Sequence, residues 1–253
     1  MLRRRPLLAL AAAALPLPAL AARTPLQAFG HALPPLSFEQ DGRPAGLMVE
    51  LLQRMAEHAG MDLALALQPR LRAEKSFLET PASLLFPLAR LPERENRFRW
   101  VGPVLPRRVA IYSLSQRADI RFKGLQQLEG LKLGATAGTA TLEQLLAEGL
   151  KPGKELEVSP SYDASVRKLL AGRMDLLVIG DLNLYWQLGQ LQELPERVKE
   201  VAVLDASADY SFGLHLDADL GQAEPLQKAL EQLRRNGAID KLKRAYGLPT
   251  GGA

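Results

Sequence analysis

Two patterns of apolar and polar residues alternate along this chain. Short continuous apolar runs are typical of buried strands, whereas apolar residues that recur every three or four positions indicate amphipathic helices. The predicted strands cover residues 26–29, 61–67, 83–88, 109–114, 131–136, 156–158, 176–179, 198–204 and 210–216. The predicted helices cover residues 46–58, 139–148, 162–170, 183–191 and 225–246, the last interrupted near Gly237. This alternation predicts βαβ units and therefore an α/β fold.

The first 21 residues have the pattern of an export signal. Three arginines at positions 3–5 precede an apolar stretch over 7–20, and small residues end it in the spacing that a signal peptidase needs, with cleavage expected after Ala21. An uncleaved membrane anchor is the alternative, but the stretch is short for a span of about 20 residues and contains Pro16 and Pro18. We therefore expect a periplasmic protein without stable membrane insertion. The arginines leave both the general and the twin-arginine export routes open.

Composition narrows the class of protein. Signal cleavage removes three of the 32 basic residues and leaves 29 against 28 acidic ones, so the mature chain is nearly neutral. No basic stripe interleaved with aromatic residues supports nucleic-acid binding. The chain has no cysteine, which excludes disulfides and a lipid anchor on a cysteine. The three histidines are scattered without metal-ligand spacing, so we expect no metal and no cofactor.

One segment, LLFPLARLPERENRFRWVGP at residues 84–103, joins a buried-looking strand to a proline-led helix start. Pro92 is a residue favoured at the first position of a helix, and a helix start presents free backbone N–H groups to an anion. Arg94 adds a planar guanidinium whose donors match a carboxylate. The segment therefore predicts an anion-binding site with Arg94 as its anchor.

Five segments of the mature chain follow one another in a characteristic order. They are LPPLSFEQDGRPAGLMVELLQRMAEHAGM, LARLPERENRFRWVGP, LEGLKLGATAGTATLEQLL, VRKLLAGRMDLLVIGD and LRRNGAIDKLKRAYGL. In this order they resemble the periplasmic solute-binding proteins of the polar amino-acid transporter type, the family 3 extracellular solute-binding proteins. The resemblance covers nearly the whole mature chain.

The resemblance implies a two-lobe, type II periplasmic-binding-protein-like fold, with the ligand in the cleft between the lobes. Two crossing segments would join the lobes, near residues 111–115 and 206–210. The implied division of the chain is residues 1–21 as signal peptide, 24–112 plus 210–253 as lobe 1, and 113–209 as lobe 2. The implied partners are a small-molecule ligand and an ABC transporter permease, and we expect a monomer.

The ligand site of the family maps onto four positions of this chain. Arg94 matches the arginine that pairs with the carboxylate of the ligand. Gly138, Thr139 and Ala140 match a glycine-threonine-threonine turn at a helix start, with the second hydroxyl lost. Main-chain N–H groups at that turn would still bind an anion. A plain helix N-cap is the alternative role for Thr139, and the two roles are compatible.

Three positions depart from the family pattern around the ammonium group of an amino-acid ligand. Where the family has an aspartate, an aromatic residue and a second aspartate, this chain has Gly30, Leu33 and Gly180. A desolvated ammonium left without a partner costs several kcal/mol. The resemblance therefore implies a ligand other than a standard free α-amino acid.

The strand end before Arg94 also departs from the pattern. The stretch FPLA, which runs from Phe86 to Ala89, replaces a serine-rich strand end of the family. It makes the wall of the site more apolar. Arg90 adds a second positive charge; its alternative role is a surface pair with Glu93 or Glu95. A pocket of this kind favours an anionic, partly apolar ligand, such as a dicarboxylate, an aromatic or aliphatic acid, or an acylated amino acid.

Asp181 directly follows Gly180 and would regain an ammonium partner by a shift of one residue. Capping of a helix that starts at Leu182 is the interpretation we favour.

These features predict a solute-binding protein that captures a small anionic, carboxylate-bearing ligand and delivers it to an ABC permease, rather than an enzyme. The sequence has no nucleophile elbow, no cysteine and no phosphate-cradling glycine loop. Two alternatives stay open. One is a dehydratase-like periplasmic enzyme that uses carboxylates such as Glu39, Asp163 or Asp181, and the other is an orphan ligand-sensing protein.

Overall fold

The computed structural model describes residues 24–128, 130–218 and 220–248, so the predicted signal peptide lies outside the described residues. The strands are β1 Leu26–Gly30, β2 Phe38–Gln40, β3 Arg43–Ala45, β4 Leu63–Leu67, β5 Leu84–Ala89, β6 Arg99–Leu114, β7 Leu133–Thr136, β8 Leu156–Ser159, β9 Leu176–Gly180 and β10 Val198–Leu214. The helices are α1 Leu47–His58, α2 Arg70–Glu79, α3 Ala140–Ala147, α4 Tyr162–Leu170, α5 Asp181–Gln190, α6 Leu220–Arg235 and α7 Ala238–Ala245. The predicted α/β alternation is confirmed.

Eight of these strands form one sheet in the order β4-β1-β5-β10-β6-β9-β7-β8. β1 pairs in parallel with β4 and β5, and β7 pairs in parallel with β8 and β9. Between the two parallel groups lie the long antiparallel strands β6 and β10, whose pairing runs from Arg99 opposite Leu214 to Leu114 opposite Val198. Two α/β halves therefore share two continuous strands.

Each half of the molecule packs around its own buried apolar residues. The first half buries Phe86 and Phe212 together with residues of β1, α1 and α6. The second half buries Leu133 and Leu169 in two clusters on α3, α4, β7 and β9. Burial of such surface contributes about 25 cal/mol per Å², so each half has its own source of stability. The lobe boundaries drawn from the sequence stay a prediction.

Several predicted helices agree closely with the structure because local signals define their ends. α4 has the predicted bounds, and the Ser161 hydroxyl caps it by accepting a 3.2 Å hydrogen bond from the Ala164 N–H. The interruption predicted near Gly237 separates α6 from α7. Gly237 has a φ of 73° there, a left-handed conformation that glycine adopts without steric cost.

Other predicted elements are corrected by the structure. The strands predicted at 198–204 and 210–216 are parts of the single strand β10, since pairing with β6 continues through the polar residues between them. The helix predicted at Pro92 is a six-residue 3₁₀ segment, Pro92–Arg97, too short for a helix dipole to hold an anion. Helix α2 was not predicted, because it buries only Ala73 and Phe77.

Candidate functional site

A cavity of about 440 Å³ lies between the two halves of the molecule, and both halves line it. β5, α2 and the loop after β1 supply the lining on one side, whereas the starts of α3, α4 and α5 supply it on the other. The strands β6 and β10 contribute Arg107 and Tyr210 where they cross between the halves. The volume and position are those of a small-molecule pocket.

Arg94 lines this cavity and is half-buried. Its backbone N–H donates a 2.9 Å hydrogen bond to the Leu91 carbonyl, which fixes the short 3₁₀ segment in place. Among the described residues, no side-chain hydrogen bond or ion pair occupies its guanidinium. A guanidinium with free donors in a cleft is an anchor for a carboxylate.

Gly138, Thr139 and Ala140 also line the cavity, at the start of α3. The Thr139 hydroxyl donates to the Thr136 carbonyl at 2.7 Å and accepts from the Leu142 N–H at 3.2 Å. A hydroxyl has one hydrogen, and here the backbone takes it. Thr139 is therefore the N-cap of α3, and the turn offers a ligand its backbone N–H groups rather than this side chain.

His31 and Arg70 also line the cavity, and His31 is close enough to Arg70 and Arg94 to feel both charges; these three residues are called here the anion end. Burial, together with the positive charges of Arg70 and Arg94, lowers the pKa of His31 to about 4. His31 is therefore neutral at pH 7. The histidine adds a hydrogen-bonding group to this end without adding charge.

Arg70, which the sequence did not single out, contacts both halves of the molecule. It pairs with Glu74 at 3.2 Å on its own helix and with Glu143 on α3 across the cleft. Its Nε is buried without a hydrogen-bond partner. Arg70 lies outside the five family-like segments and starts the helix that the apolar pattern did not reveal, so no signal in the sequence pointed to it.

Arg107, Tyr162 and Tyr210, called here the crossing cluster, line another part of the cavity. The Arg107 guanidinium is bonded to Asp205 on the adjacent strand and lies beside the Tyr210 hydroxyl. Burial raises the pKa of Tyr210 to about 12, and burial likewise raises the pKa of Tyr162. Both phenols are therefore protonated donors at pH 7. The cluster joins residues far apart in sequence, and no local motif marks it.

Three predicted ligand residues lie away from the cavity lining. Phe86 is fully buried and packs on Phe212 with ring centroids 5.9 Å apart, because its strand face points into the core. Arg90 pairs with Glu95 at 2.5 Å and lies over the Trp100 ring, which matches the surface alternative.

Asp181 is the third of these residues and lies at the first position of α5. Its carboxylate accepts a 2.6 Å hydrogen bond from the Leu182 N–H, so it serves the start of the helix. Burial raises the pKa of this carboxyl. Ala89, by contrast, lines the cavity together with Leu88.

Two of the three positions that depart from the family pattern line the cavity, namely Leu33 and Gly180. Gly30 does not; a Cβ there would lie 2.6 Å from Leu67 and 2.8 Å from Phe86, so close packing accounts for this glycine.

The carboxylates that line the cavity, among the residues described, are those of Glu74 and Asp163. Glu74 pairs with Arg70, and Asp163 pairs with Arg167 at 2.9 Å. Each of these carboxylates therefore already has a cationic partner within its own helix. Glu39 and Asp181, the other candidates for catalysis, do not line the cavity.

Contacts across the cleft hold the two halves together in this structure. The Asn183 side-chain amide on α5 donates to the Pro34 carbonyl. Trp186, also on α5, packs against Phe38 at 5.4 Å and Tyr246 at 5.8 Å between ring centroids. The described conformation is therefore closed around the cavity.

In the described ranges, 24–128, 130–218 and 220–248, no group of three or more His, Asp or Glu side chains is arranged to hold a metal ion. Within the same ranges, every helix is too short or too polar to span a bilayer.

No family model matches the chain. Over 228 residues it is 27% identical to the membrane-bound lytic murein transglycosylase F of Sodalis glossinidius, a match that covers 84% of this chain and 46% of that protein. It is 22% identical over 220 residues to a "probable histidine-binding protein" of Campylobacter jejuni, covering 85% of this chain and 81% of that one. The chain thus spans about half the length of the transglycosylase that it matches.

Solved structures match more completely. A histidine kinase sensor domain with similarity to periplasmic binding proteins superposes with a TM-score of 0.70 at 22% identity, covering 88% of this chain and 96% of that chain. The chain has the two-lobe periplasmic-binding-protein fold. An ancestral arginine-binding protein bound to arginine gives 0.67 at 19% identity, with 88% and 98% covered. Substrate-binding domain 2 of Lactococcus lactis GlnP, in an open conformation, gives 0.65 at 21%, with 90% and 96% covered.

These matches confirm the predicted fold class and the resemblance to amino-acid-type solute-binding proteins at the level of fold. The structural neighbours are binding proteins and sensor domains. At these identities they leave the ligand of this chain undetermined, so the ligand has to be argued from the cavity itself.

Proposed function

We propose that this protein is an exported solute-binding protein that holds a small carboxylate-bearing ligand in the cavity between its lobes, with Arg94 as the anchor. The export signal at residues 1–21 delivers the protein to the periplasm, and residues 24–112 with 210–253 form one lobe and 113–209 the other. The ligand passes to an ABC permease.

The unpaired guanidinium of Arg94 is the observation that carries the proposal. Other arginines near the cleft have a carboxylate partner within the protein, as Arg70, Arg90 and Arg107 do. Arg94 has no such partner although it lines the cavity. A half-buried guanidinium without a partner in the protein keeps its donors for a ligand carboxylate.

The second lobe contributes the turn at Gly138, Thr139 and Ala140. Thr139 holds the turn open by capping α3, which leaves backbone N–H groups at the helix start directed to the cleft. One ligand carboxylate between this turn and Arg94 gives both lobes a shared partner, which favours the closed form.

Ion pairing of Glu74 and Asp163 supports a ligand without a free ammonium group. The ammonium of an amino acid would have to share one of these carboxylates with its arginine, since no unpaired carboxylate of the described residues lines the cavity. The favoured ligand is therefore an acid other than a standard α-amino acid.

A sensing role is the second candidate, and a specific observation favours it. Among the matched proteins is a histidine kinase sensor domain. The GlnP domain supports delivery to a transporter instead. Uptake of the bound acid by cells with and without the gene separates the two, since only the transport role predicts loss of uptake in the deletion strain.

The test begins with a thermal-shift screen of the mature protein against aliphatic acids, oxo acids, dicarboxylates and amino acids, because a specific ligand raises the melting temperature by mass action. Calorimetry then measures the best acid against Arg94→Ala. We expect affinity to fall about tenfold or more with the loss of a charge-assisted pair. Arg97→Ala, an exposed arginine on the same 3₁₀ segment, is the matched control and should bind normally. Equal affinities for wild type and Arg94→Ala would sink the proposal.

A further inference from the structure

The crossing cluster of Arg107, Tyr162 and Tyr210 has a geometry that the anchor at Arg94 does not explain. Arg107 lies on β6 opposite Ala208 of β10, and Tyr210 is two residues further along β10, opposite Ala89 of β5. The cluster therefore forms part of the cavity surface where the two lobes join. Any ligand held at the anion end shares this cavity with two phenols and the guanidinium of Arg107.

The charge of Arg107 is already balanced. Its Nη1 is bonded to Asp205, and the two side chains are only 12% and 22% exposed. The other Asp205 oxygen accepts from the Ser207 N–H at 2.9 Å and the Ser207 hydroxyl at 2.7 Å, so the carboxylate is held from two sides. A second ligand carboxylate here would have to compete with Asp205 inside a partly desolvated site, where like charges repel strongly.

Hydrogen-bond donors, in contrast, are in excess at this cluster. Arg107 lies close enough to Tyr210 for its charge to lower the pKa of that phenol, and no described residue accepts the hydrogen of the Tyr210 hydroxyl. The Tyr162 hydroxyl has no hydrogen-bond partner among the residues that the structure describes. Since burial raises the pKa of both phenols, they keep their hydrogens well above pH 7. Both residues line the cavity, so a ligand oxygen there can accept the hydrogen of either hydroxyl.

We infer that Arg107, Tyr162 and Tyr210 form a second ligand subsite that takes an uncharged oxygen acceptor. This inference rests on the proposed function, because it assumes that a carboxylate occupies Arg94. The ligand is then a monocarboxylic acid with a ketone or amide oxygen at its far end. Among the acids considered above, an acylated acid fits, whereas a dicarboxylate or a plain alkyl acid does not.

Three series of probes with matched carbon skeletons test the subsite on the full mature chain. The first is succinate, glutarate and adipate. The second is the oxo acids in which an acetyl group replaces one carboxylate of each, and the third is the alkanoates of the same length without the ketone. For at least one chain length, we expect the oxo acid to bind about tenfold more tightly than both relatives, since a site built around donors rejects a ligand that leaves them unpaired.

Two variants remove single hydroxyls without changing shape. Tyr162→Phe and Tyr210→Phe should each lower the affinity for the best oxo acid about fivefold to tenfold and leave the alkanoate unchanged. Tyr185→Phe is the control, since Tyr185 lies on α5 and does not line the cavity. Melting temperatures of all three variants report whether the fold is intact.

The outcomes separate the two proposals. The subsite is wrong if the dicarboxylate binds best, or if both phenylalanine variants bind the oxo acid normally. The anchor still stands in either case if Arg94→Ala abolishes binding. If Arg94→Ala binds every acid normally, the proposed function fails. If wild type binds no oxo acid of these series, the subsite is overturned. If it binds no acid of the wider screen either, the proposed function is overturned too.

Discussion

Arg94 and Arg107 line the same cavity, and their surroundings differ in one respect that decides their chemistry. Arg94 lies on a short 3₁₀ segment and pairs with no carboxylate of the described residues, whereas Arg90 before it is bonded to Glu95. Arg107 lies in a long strand directly beside the strand that carries Asp205. The presence of an arginine in a cleft therefore does not define an anion site; the absence of a partner does.

Asp205→Asn should have the largest effect, on stability. Removing one partner of a poorly exposed ion pair leaves the Arg107 charge without compensation, so the free energy of unfolding should fall by about 3 kcal/mol. Urea denaturation measures it. Glu200→Gln, which breaks the more exposed pair with Arg108, is the control and should cost below about 1 kcal/mol. Equal losses for the two variants would remove the distinction between Arg107 and a surface arginine.

Arg94→Ala should do the opposite of Asp205→Asn, with a small effect on stability and a large effect on ligand affinity. Because no side chain pairs with Arg94, its loss should change the free energy of unfolding by less than about 0.5 kcal/mol. Affinity for the best acid should still fall about tenfold or more, as measured by calorimetry. A large loss of stability would show that Arg94 has a structural partner and would weaken its assignment as a free anchor.

The pKa of His31 depends on its burial and on the positive charges at the anion end. Its pKa is about 4 in the folded protein and about 6.5 in the unfolded chain, so between these values the unfolded state binds more protons. Stability is therefore lost as the pH falls from 7, by about 1 kcal/mol at about pH 5.5. His31→Gln should flatten this part of the profile in urea denaturation, whereas the exposed-site variant His58→Gln should retain it. An identical slope in all three proteins would contradict the burial of a neutral His31.

Glu143→Gln should give the smallest effect. The Arg70–Glu143 pair spans the cleft, but Glu143 is 58% exposed, so the loss of stability should stay below about 1 kcal/mol and shrink in high salt. Because the pair favours the closed form, affinity for the best acid should fall about twofold. Glu79→Gln breaks a pair within α2 and should leave affinity unchanged. An affinity gain in Glu143→Gln would mean that Glu143 competes with the ligand for Arg70.

The sequence predicted those parts of the fold that have strong local signals. α4 has a serine cap and a clear apolar face, and its bounds were correct. No local pattern shows that β10 is a single strand, since its central residues are polar. The strand is continuous only because β6 pairs with it along its length. α2 buries just Ala73 and Phe77, too narrow a stripe to stand out.

The residues of the candidate site also fall into those with a local sequence signal and those without one. The family-like segments placed Arg94, Ala89 and the Thr139 turn on the cavity, because each lies next to a strand end that reaches the cleft. Their ligand roles stay predictions. Arg70 and the crossing cluster depend on contacts between distant parts of the chain, which no local pattern contains. Phe86 was misplaced because strand alternation alone does not reveal which face meets the core.

The contact of Trp186 with Phe38 and Tyr246 has a practical consequence. The chain contains two tryptophans, and Trp100 lies within one lobe beside Phe98, whereas Trp186 is on the opposite lobe from its aromatic neighbours. Opening of the cleft would move the Trp186 indole from these rings into water and leave Trp100 where it is. In a Trp100→Phe background, the intrinsic fluorescence of the protein should therefore follow its own opening and closing, without any attached dye.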